Sequence, residues 1–199
     1  MTEIRRYKPK DKPLWNEFIA SAKNATFLFN RNFMDYHKER FNDHSLLCFN
    51  KGKLIAVLPA NTVGEKLYSH QGLTYGGLVT QSKTKFKDYV LIFEKILKYL
   101  SDNDIEQLFL KELPVMYASS PSGEFEYIQF LLKASLVKVD ISSSIQNSEK
   151  IPISNNRKEG YKRATKQGLK IIEEEVMDSF WNEILIPNLK EKHNTCPVH

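Results

Sequence analysis

The sequence has few cysteines and no long hydrophobic segment. Its two cysteines, Cys48 and Cys196, are too few for a disulfide framework, so the sequence predicts a reducing, cytoplasmic compartment. No run of about 18 apolar residues occurs, which predicts that no segment spans a membrane. Residues 1–13 are polar and basic and lack the apolar segment of a secretory signal.

Nucleophilic catalysis also finds little support in the sequence. Ser119, Ser120 and Ser122 are not part of a Gly-x-Ser-x-Gly elbow, the turn that exposes a catalytic serine. Cys48 lies within a predicted strand, where a free cysteine is more often a small core residue than a nucleophile. We therefore assign no catalytic residue from the sequence.

Metal-binding residues are sparse. His193, Cys196 and His199 have a spacing that suggests zinc, but a structural zinc site needs four ligands and no fourth is near them. An isolated spacing of this kind is a weak indication. The sequence therefore predicts no metal site.

The residues that are present are typical of a globular domain with one basic region. Hydrophobic residues make up 41% of the chain and charged residues 27%, which is enough for a sizeable core. The net charge is +5, and residues 149–170 hold seven basic residues against two acidic ones. A cluster of this kind favours an anionic partner, and a solvated helix face explains it equally well.

Apolar periodicity and turn residues predict an α/β chain with a mixed sheet. The predicted order is β-α-α-β-β-β-α-β-α-β. It begins with strand 3–7, helices from residue 11 and over 32–41, the hairpin strands 45–49 and 54–58, and strand 66–69. It continues with helix 85–101, strand 107–111, a helix after residue 120, and strand 136–142. A basic helix over 155–167 ends at Gly168, and a strand over 169–176 and a last helix kinked at Pro187 follow. We predict a first domain over 1–145, a linker and basic helix over 146–168, and the start of a second domain over 169–199.

Several short motifs in this order resemble one known family. They are the basic segment 157–169, Phe180-Trp181, Lys192-His193, residues 197–199, the segment 27–33 and the glycine-containing segment 74–78. Their order and spacing resemble the N-terminal portion of the Fem-type (FemAB-like) family of GNAT-fold acyl- and aminoacyltransferases. The resemblance extends over nearly the whole chain.

The resemblance implies two GNAT-like domains joined by a basic helical region, of which this chain holds the first and the truncated start of the second. It implies transfer of an acyl or aminoacyl group to an amine of a cell-wall (peptidoglycan) or surface-polysaccharide precursor. The donor in the full-length family is acyl-CoA or aminoacyl-tRNA. We predict that this chain binds no cofactor itself and is inactive alone.

One departure from the GNAT pattern supports that expectation. A GNAT cofactor loop reads Gln/Arg-x-x-Gly-x-Gly/Ala after the fourth strand, where backbone N–H groups hold the pyrophosphate. We equate that loop with residues 71–77, which do not fit the pattern. The usual mode of coenzyme A binding is therefore not expected.

Eight residues are candidates for substrate binding. They are Tyr75, Gly76, Gly77, Arg157, Lys158, Lys162, Arg163 and Lys38. Paired glycines let a ligand approach the backbone closely, although a plain strand-end turn explains them as well. On the basic helix, Lys158 and Lys162 share an exposed stripe, and Arg157 falls on the inward side, where it needs an anionic partner. Lys38 could add charge, or could complement a helix C-terminus.

Three alternatives for the whole chain remain open. The basic helix could bind an anionic or nucleotide-linked precursor, or tRNA, as part of a transferase. The chain could instead be a non-catalytic module that binds a phosphate, a nucleotide-sugar or RNA. A third alternative is an inactive remnant that dimerises through the exposed C-terminal helix with Phe180, Trp181, Ile184 and Leu185.

Overall fold

The computed structural model of the chain describes residues 2–120, 122–141, 143–173 and 176–197. It divides the chain into two compact units, Met1–Val137 and Lys138–His199, which are called the first and the second unit below. The division into a complete domain and the start of another remains a prediction.

As far as its fourth helix, the first unit contains the predicted elements in the predicted order, together with three short strands, over 42–43, 61–63 and 79–80, that were not predicted. In chain order its elements are β1 (Thr2–Arg6), α1 (Lys12–Ser21), α2 (Arg31–Met34), β2 (Asn42–Asp43), β3 (Leu46–Asn50), β4 (Lys53–Leu58), β5 (Asn61–Val63), β6 (Lys66–Tyr68), β7 (Val79–Thr80), α3 (Phe86–Ser101), β8 (Gln107–Phe109) and α4 (Glu124–Leu131). The predicted second helix is split, because Asp35–Arg40 continues α2 as a 3-10 helix. The α/β class and the mixed sheet are confirmed.

The predicted strand over 136–142 is wrong. Residues 136–141 have no strand, and Ser142 lies outside the described residues. Leu136 and Ile141 are 82% and 96% exposed. An alternating apolar pattern becomes a strand only where a neighbouring strand edge supplies hydrogen bonds, and no described strand pairs with this segment.

The strands form two four-stranded sheets, in the orders β1-β3-β4-β7 and β2-β5-β6-β8. A bent hairpin connects them, because β2 leads into β3 and β4 leads into β5. At the bend, the Ser45 hydroxyl accepts a hydrogen bond from the Ala60 N–H at 3.1 Å. All pairs are antiparallel except β6 with β8, which is parallel. That parallel pair brings the residues that follow β6 next to those that follow β8.

Buried hydrophobic residues pack against both faces of the first sheet. Leu46 and Cys48 of β3 pack with the buried face of α3, whereas Leu47, between them, packs with Trp15 of α1. This is the period of two that a strand buried on both sides requires. Burial raises the pKa of the Cys48 thiol, which confirms its interpretation as a core residue rather than a nucleophile.

The second unit is helical in its regular parts. It contains α5 (Asn155–Lys166), a π-helix over Phe180–Leu185 and α6 (Ile186–His193), whose first turn holds Pro187. Gly168 follows α5 with a φ of +75°, and the Leu169 N–H donates to the Ala164 carbonyl at 3.1 Å, so the predicted end of this helix is confirmed.

The predicted strand over 169–176 is wrong for its described part, because residues 169–173 have no strand. No described residue of the second unit is buried, so this apolar segment has no surface against which a strand could form. Across the described residues of both units, no helix is long and apolar enough to cross a bilayer.

Candidate functional site

The loop over residues 69–78, between β6 and β7, is held by several hydrogen bonds to its neighbours. Its start and its end are both hydrogen-bonded to the chain at the end of β8. The Ser69 N–H donates to the Phe109 carbonyl at 2.8 Å, and the Gly76 N–H donates to the Lys111 carbonyl at 2.7 Å. The Lys111 N–H in turn donates to the Ser69 hydroxyl at 2.8 Å. These bonds fix the loop beside the residues that follow β8.

Side chains hold the same loop from two other directions. Asn61 and Gln71 exchange two hydrogen bonds of 2.8 Å each. The Tyr75 hydroxyl donates to the Thr26 hydroxyl at 3.0 Å, and its ring packs edge-on against Phe29. A loop with this many partners is pre-organised, which is what a binding site on irregular backbone needs.

The two predicted glycines have different surroundings. A Cβ atom on Gly76 would lie 1.9 Å from the Ser69 carbonyl oxygen, so Gly76 is required by close backbone packing. A Cβ atom on Gly77 would meet only the Lys111 carbonyl oxygen, at 3.8 Å, and its φ is +93°. Gly76 therefore serves the fold, whereas Gly77 is buried and leaves unfilled space beside its backbone.

Gly76 and Gly77 line a small cleft, together with Asn24, Leu78, Glu112, Leu113, Val115, Ala118, Ser122, Phe125 and Glu126. Its volume is about 40 Å³. A single water needs roughly 10–15 Å³ on such a measure. The cleft therefore accepts a group of a few heavy atoms, such as an amine and its neighbouring carbon, and not a whole large substrate.

Glu112 places a carboxylate at this cleft, three residues beyond the end of β8. Although the residue as a whole is exposed, partial desolvation of the carboxylate raises its pKa, and the nearby charge of Glu126 acts in the same direction. The Gln129 side chain donates a hydrogen bond to Glu112 Oε1 and partly opposes that shift. A carboxylate with a raised pKa is better suited to accept a proton than an ordinary one.

A buried ion pair braces the wall of the cleft. Lys23 Nζ lies 2.7 Å from Glu124 Oε1, and the Lys23 side chain is 4% exposed. Desolvation alone would favour the protonated acid, but the hydrogen bond from Lys23 is among the contacts that hold the pKa of Glu124 below its usual value. The pair joins the segment before Asn24 to the first turn of α4, which carries Glu126. Glu124 is therefore a positioning group and not a free base.

The helix that would receive a cofactor pyrophosphate does not fit that group. The structure places β7 and residues 81–85 between the 69–78 loop and α3, so our assignment of the cofactor loop to 71–77 is wrong. Residues 81–85 contain no glycine. The Asp88 carboxylate accepts the Lys85 N–H at 3.2 Å, so a negative charge already occupies this helix N-terminus. We therefore derive no step through coenzyme A.

The other candidates for substrate binding on the first unit do not line the cleft. Tyr75 belongs to the same loop, but its hydroxyl points to Thr26. Lys38 lies exposed on the 3-10 helix Asp35–Arg40. Of the predicted residues on the first unit, only the two glycines therefore line the cleft.

The basic candidates lie on α5 in the second unit. Arg157, Lys158, Lys162 and Arg163 are all exposed, so the prediction that Arg157 faces inward is wrong. The reason is that α5 has no packed face on which an inward position could exist. Lys162 lies 2.8 Å from Glu159, as expected for a solvated helix face. Their role in binding remains a prediction, and His199 of the suggested zinc spacing lies outside the described residues.

Sequence reasoning missed Glu112. Nothing in the segment 107–112 marks this glutamate, because its partners Gly77 and Gln129 lie far from it in the chain. The available signal was its position three residues after β8, whose parallel neighbour β6 leads into the loop that contains the glycine pair.

His70 gives the loop a measurable dependence on pH. Burial is the main cause that lowers the pKa of His70 to about 4, so the folded chain takes up its proton less readily than the unfolded chain, where histidine titrates near 6.5. The contribution of His70 to the free energy of unfolding is therefore complete above pH 6.5, and it is lost as the pH falls towards 4. We expect the free energy of unfolding to fall by about 2 kcal/mol between pH 7 and pH 5 because of this group.

Urea unfolding at the two pH values measures this loss, and His70→Asn provides the control. Asparagine tolerates the φ of +68° at this position and can accept the Gly72 N–H, as His70 Nδ1 does at 3.2 Å. The variant should retain its fold and lose most of the pH dependence. His44, whose pKa desolvation also lowers, should contribute to the pH dependence that remains. An unchanged pH dependence in the variant would show that His70 is not the group responsible.

Comparisons with known proteins give distant likenesses only. No protein-family model matches the sequence, and no curated protein matches it. Among solved structures, the chain is similar to the ribosomal-protein alanine N-acetyltransferase of Escherichia coli, with 14% identity, a TM-score of 0.41 and coverage of 54% of this chain and 64% of that one. The chain therefore spans less than two thirds of that protein.

For two further structures, the similarity to this chain extends over more of their length. The ribosomal-protein-alanine N-acetyltransferase of Brucella melitensis biovar Abortus has 10% identity and a TM-score of 0.47, with coverage of 73% of this chain and 100% of that one. An acetyltransferase of the GNAT family from Staphylococcus aureus has 12% identity and a TM-score of 0.40, with coverage of 67% and 82%. With identities below 25% and TM-scores below 0.5, none of them carries an argument about activity.

Proposed function

We propose that the first unit binds the primary amine that accepts the acyl group in an acyl- or aminoacyltransferase of the GNAT type. The observation that carries the proposal is that the Gly77 backbone, which has no side chain to fill the space beside it, and the Glu112 carboxylate line the same small cleft. A protonated amine fits a cleft of this size and charge. Glu112 would hold the ammonium group and then accept its proton, which leaves the nitrogen lone pair free for attack.

The finer part of the proposal follows the sequence resemblance. It assigns the chain to the Fem type and the acceptor to a cell-wall or surface-polysaccharide precursor, with acyl-CoA or aminoacyl-tRNA as the donor of the full-length family. The anionic part of such a precursor is assigned to the basic residues of α5. None of these assignments is needed for the test of the cleft itself.

Calorimetric titration of the whole chain with ethanolamine tests the proposed role of Glu112. We expect Glu112→Gln to weaken binding at least about tenfold, because a hydrogen bond between two charged groups is replaced by one to a neutral amide. The affinity of the natural chain should also fall as the pH is lowered through the raised pKa of Glu112, since protonation removes the charge that holds the ammonium group.

Glu94→Gln is the matched control. Glu94 is a 65% exposed glutamate of α3 that forms an ion pair with its neighbour Lys95 and does not line the cleft. It should bind ethanolamine as the natural chain does. Equal affinities for the Glu112 and Glu94 variants would mean that the amine does not bind at Glu112, and the proposal would be wrong.

A further inference from the structure

A second opening lies beside the cleft, between the end of α1 and the segment 25–33. It is a groove of about 510 Å³, within the range of small-molecule sites. One stretch of the chain contributes to both openings, because Asn24 lines the cleft and the next two residues, Ala25 and Thr26, line the groove. Ala20 and Ala25 are small, which leaves the floor of the groove open.

Two phenylalanines form the rim of the groove. Phe27 and Phe33 pack edge to face, with ring centroids 5.4 Å apart, and Phe27 is 70% exposed. The backbone beneath them is fixed, because Phe29 is buried and its carbonyl accepts the Trp15 indole N–H at 2.8 Å. An aromatic ring that is exposed on a fixed backbone, beside an open groove, presents a ready surface for a ligand.

The polar groups of the groove are neutral amides and a hydroxyl. Asn30 Oδ1 accepts the Asn32 N–H at 2.9 Å, which leaves the Asn30 amide nitrogen to donate elsewhere. The Asn32 side chain is exposed and makes no hydrogen bond to another described residue. Of the described residues that line the groove, none is charged.

We propose that this groove binds a neutral saccharide ring. The flat C–H face of a pyranose would lie on the exposed aromatic ring, and its hydroxyls, which both donate and accept, would pair with the two asparagine amides. A phosphate or carboxylate ligand would need a cation that the lining lacks, and an alkyl chain would leave the amides without partners. The inference does not depend on the reaction assigned to the cleft.

Amide chemical-shift mapping of the whole chain with cellobiose and with N-acetylglucosamine tests this proposal. We expect shifts confined to Ile19, Ala20 and the segment 25–33. Phe27→Ala combined with Phe33→Ala should weaken binding roughly tenfold, as the loss of an aromatic anchor does at other interfaces. Both rings are exposed, so the fold should tolerate their removal.

Phe130→Ala is the control for a general loss of exposed aromatic surface, because Phe130 is 75% exposed on α4 and does not line the groove. It should bind both sugars unchanged. Shifts absent from the groove, equal affinity in the Phe27/Phe33 variant, or binding of n-butanol there in place of the sugars would each overturn the proposal. Glu112→Gln should leave sugar binding intact, which separates this test from that of the cleft.

Discussion

Replacement of Gly76 by alanine is expected to lower the free energy of unfolding of the first unit by about 3 kcal/mol or more. The new Cβ atom would lie 1.9 Å from the Ser69 carbonyl oxygen and 2.9 Å from its carbon. Neither side can move easily, because Ser69 and Gly76 are both hydrogen-bonded to the backbone that follows β8. Urea unfolding followed by Trp15 fluorescence, in a Trp181→Phe background, measures the change.

Gly123→Ala is the matched control for this substitution. Gly123 has a negative φ, and the nearest atom to its added Cβ would be Glu126 Oε2 at 3.8 Å, an ordinary contact. Its stability should change by no more than about 0.5 kcal/mol. If the two variants were equally stable, the 69–78 loop would not be held against β8 as described, and the cleft would lose its structural basis.

The second large effect is expected at Asp43, the partner of a buried arginine. The Arg31 side chain is 1% exposed and packs against two rings, with its guanidinium carbon 3.5 Å from the Tyr7 centroid and 4.3 Å from that of Trp15. Its Nε and Nη2 atoms are buried and have no hydrogen-bond partner among the described residues. Asp43 bonds its Nη1 atom, and Asp35 Oδ1 lies farther from the same atom, at 3.8 Å. Asp43→Asn should therefore cost about 3 kcal/mol, because it leaves the buried charge with only this more distant counter-charge.

Two further variants test this explanation. Adding Arg31→Met to Asp43→Asn removes the buried positive charge and should restore much of the lost stability. An apolar side chain of similar length can pack against the same rings of Tyr7 and Trp15. Asp102→Asn breaks the exposed pair with Lys98, whose atoms are 3.0 Å apart, and should cost less than about 1 kcal/mol. A double variant less stable than Asp43→Asn alone would contradict the account, since Arg31 would then stabilise the fold without Asp43.

The sequence was sufficient for elements that are determined by local pattern. The hairpin of β3 and β4 was predicted from its strands and from Gly52, which has a φ of +76°. The helix α3 was predicted from its apolar periodicity, and its apolar residues divide between buried ones, such as Ile92 and Ile96, and exposed ones, such as Val90. Apolar residues at helical spacing predict that a segment is a helix more reliably than they predict which of its residues are buried.

Features that depend on distant partners could not be predicted. The strands expected over 136–142 and 169–176 have apolar patterns but lack neighbouring strand edges in the described parts of the chain. Arg31 occurs in a polar stretch, and its burial follows only from how Tyr7 and Trp15 come together. The candidate site has the same origin, since Glu112 meets Gly77 only because β6 and β8 pair in parallel.

The position of the bound amine is the most direct test of the proposed function. Amide chemical-shift mapping of the whole chain with ethanolamine should show its largest changes at Gly77, Glu112 and Glu126, and Glu112→Gln should abolish them. The test requires no donor and no turnover. Shift changes spread evenly over the exposed aspartates and glutamates would contradict the assignment of this cleft as an amine-binding site. Changes at Gly77 that persist in Glu112→Gln would contradict it as well.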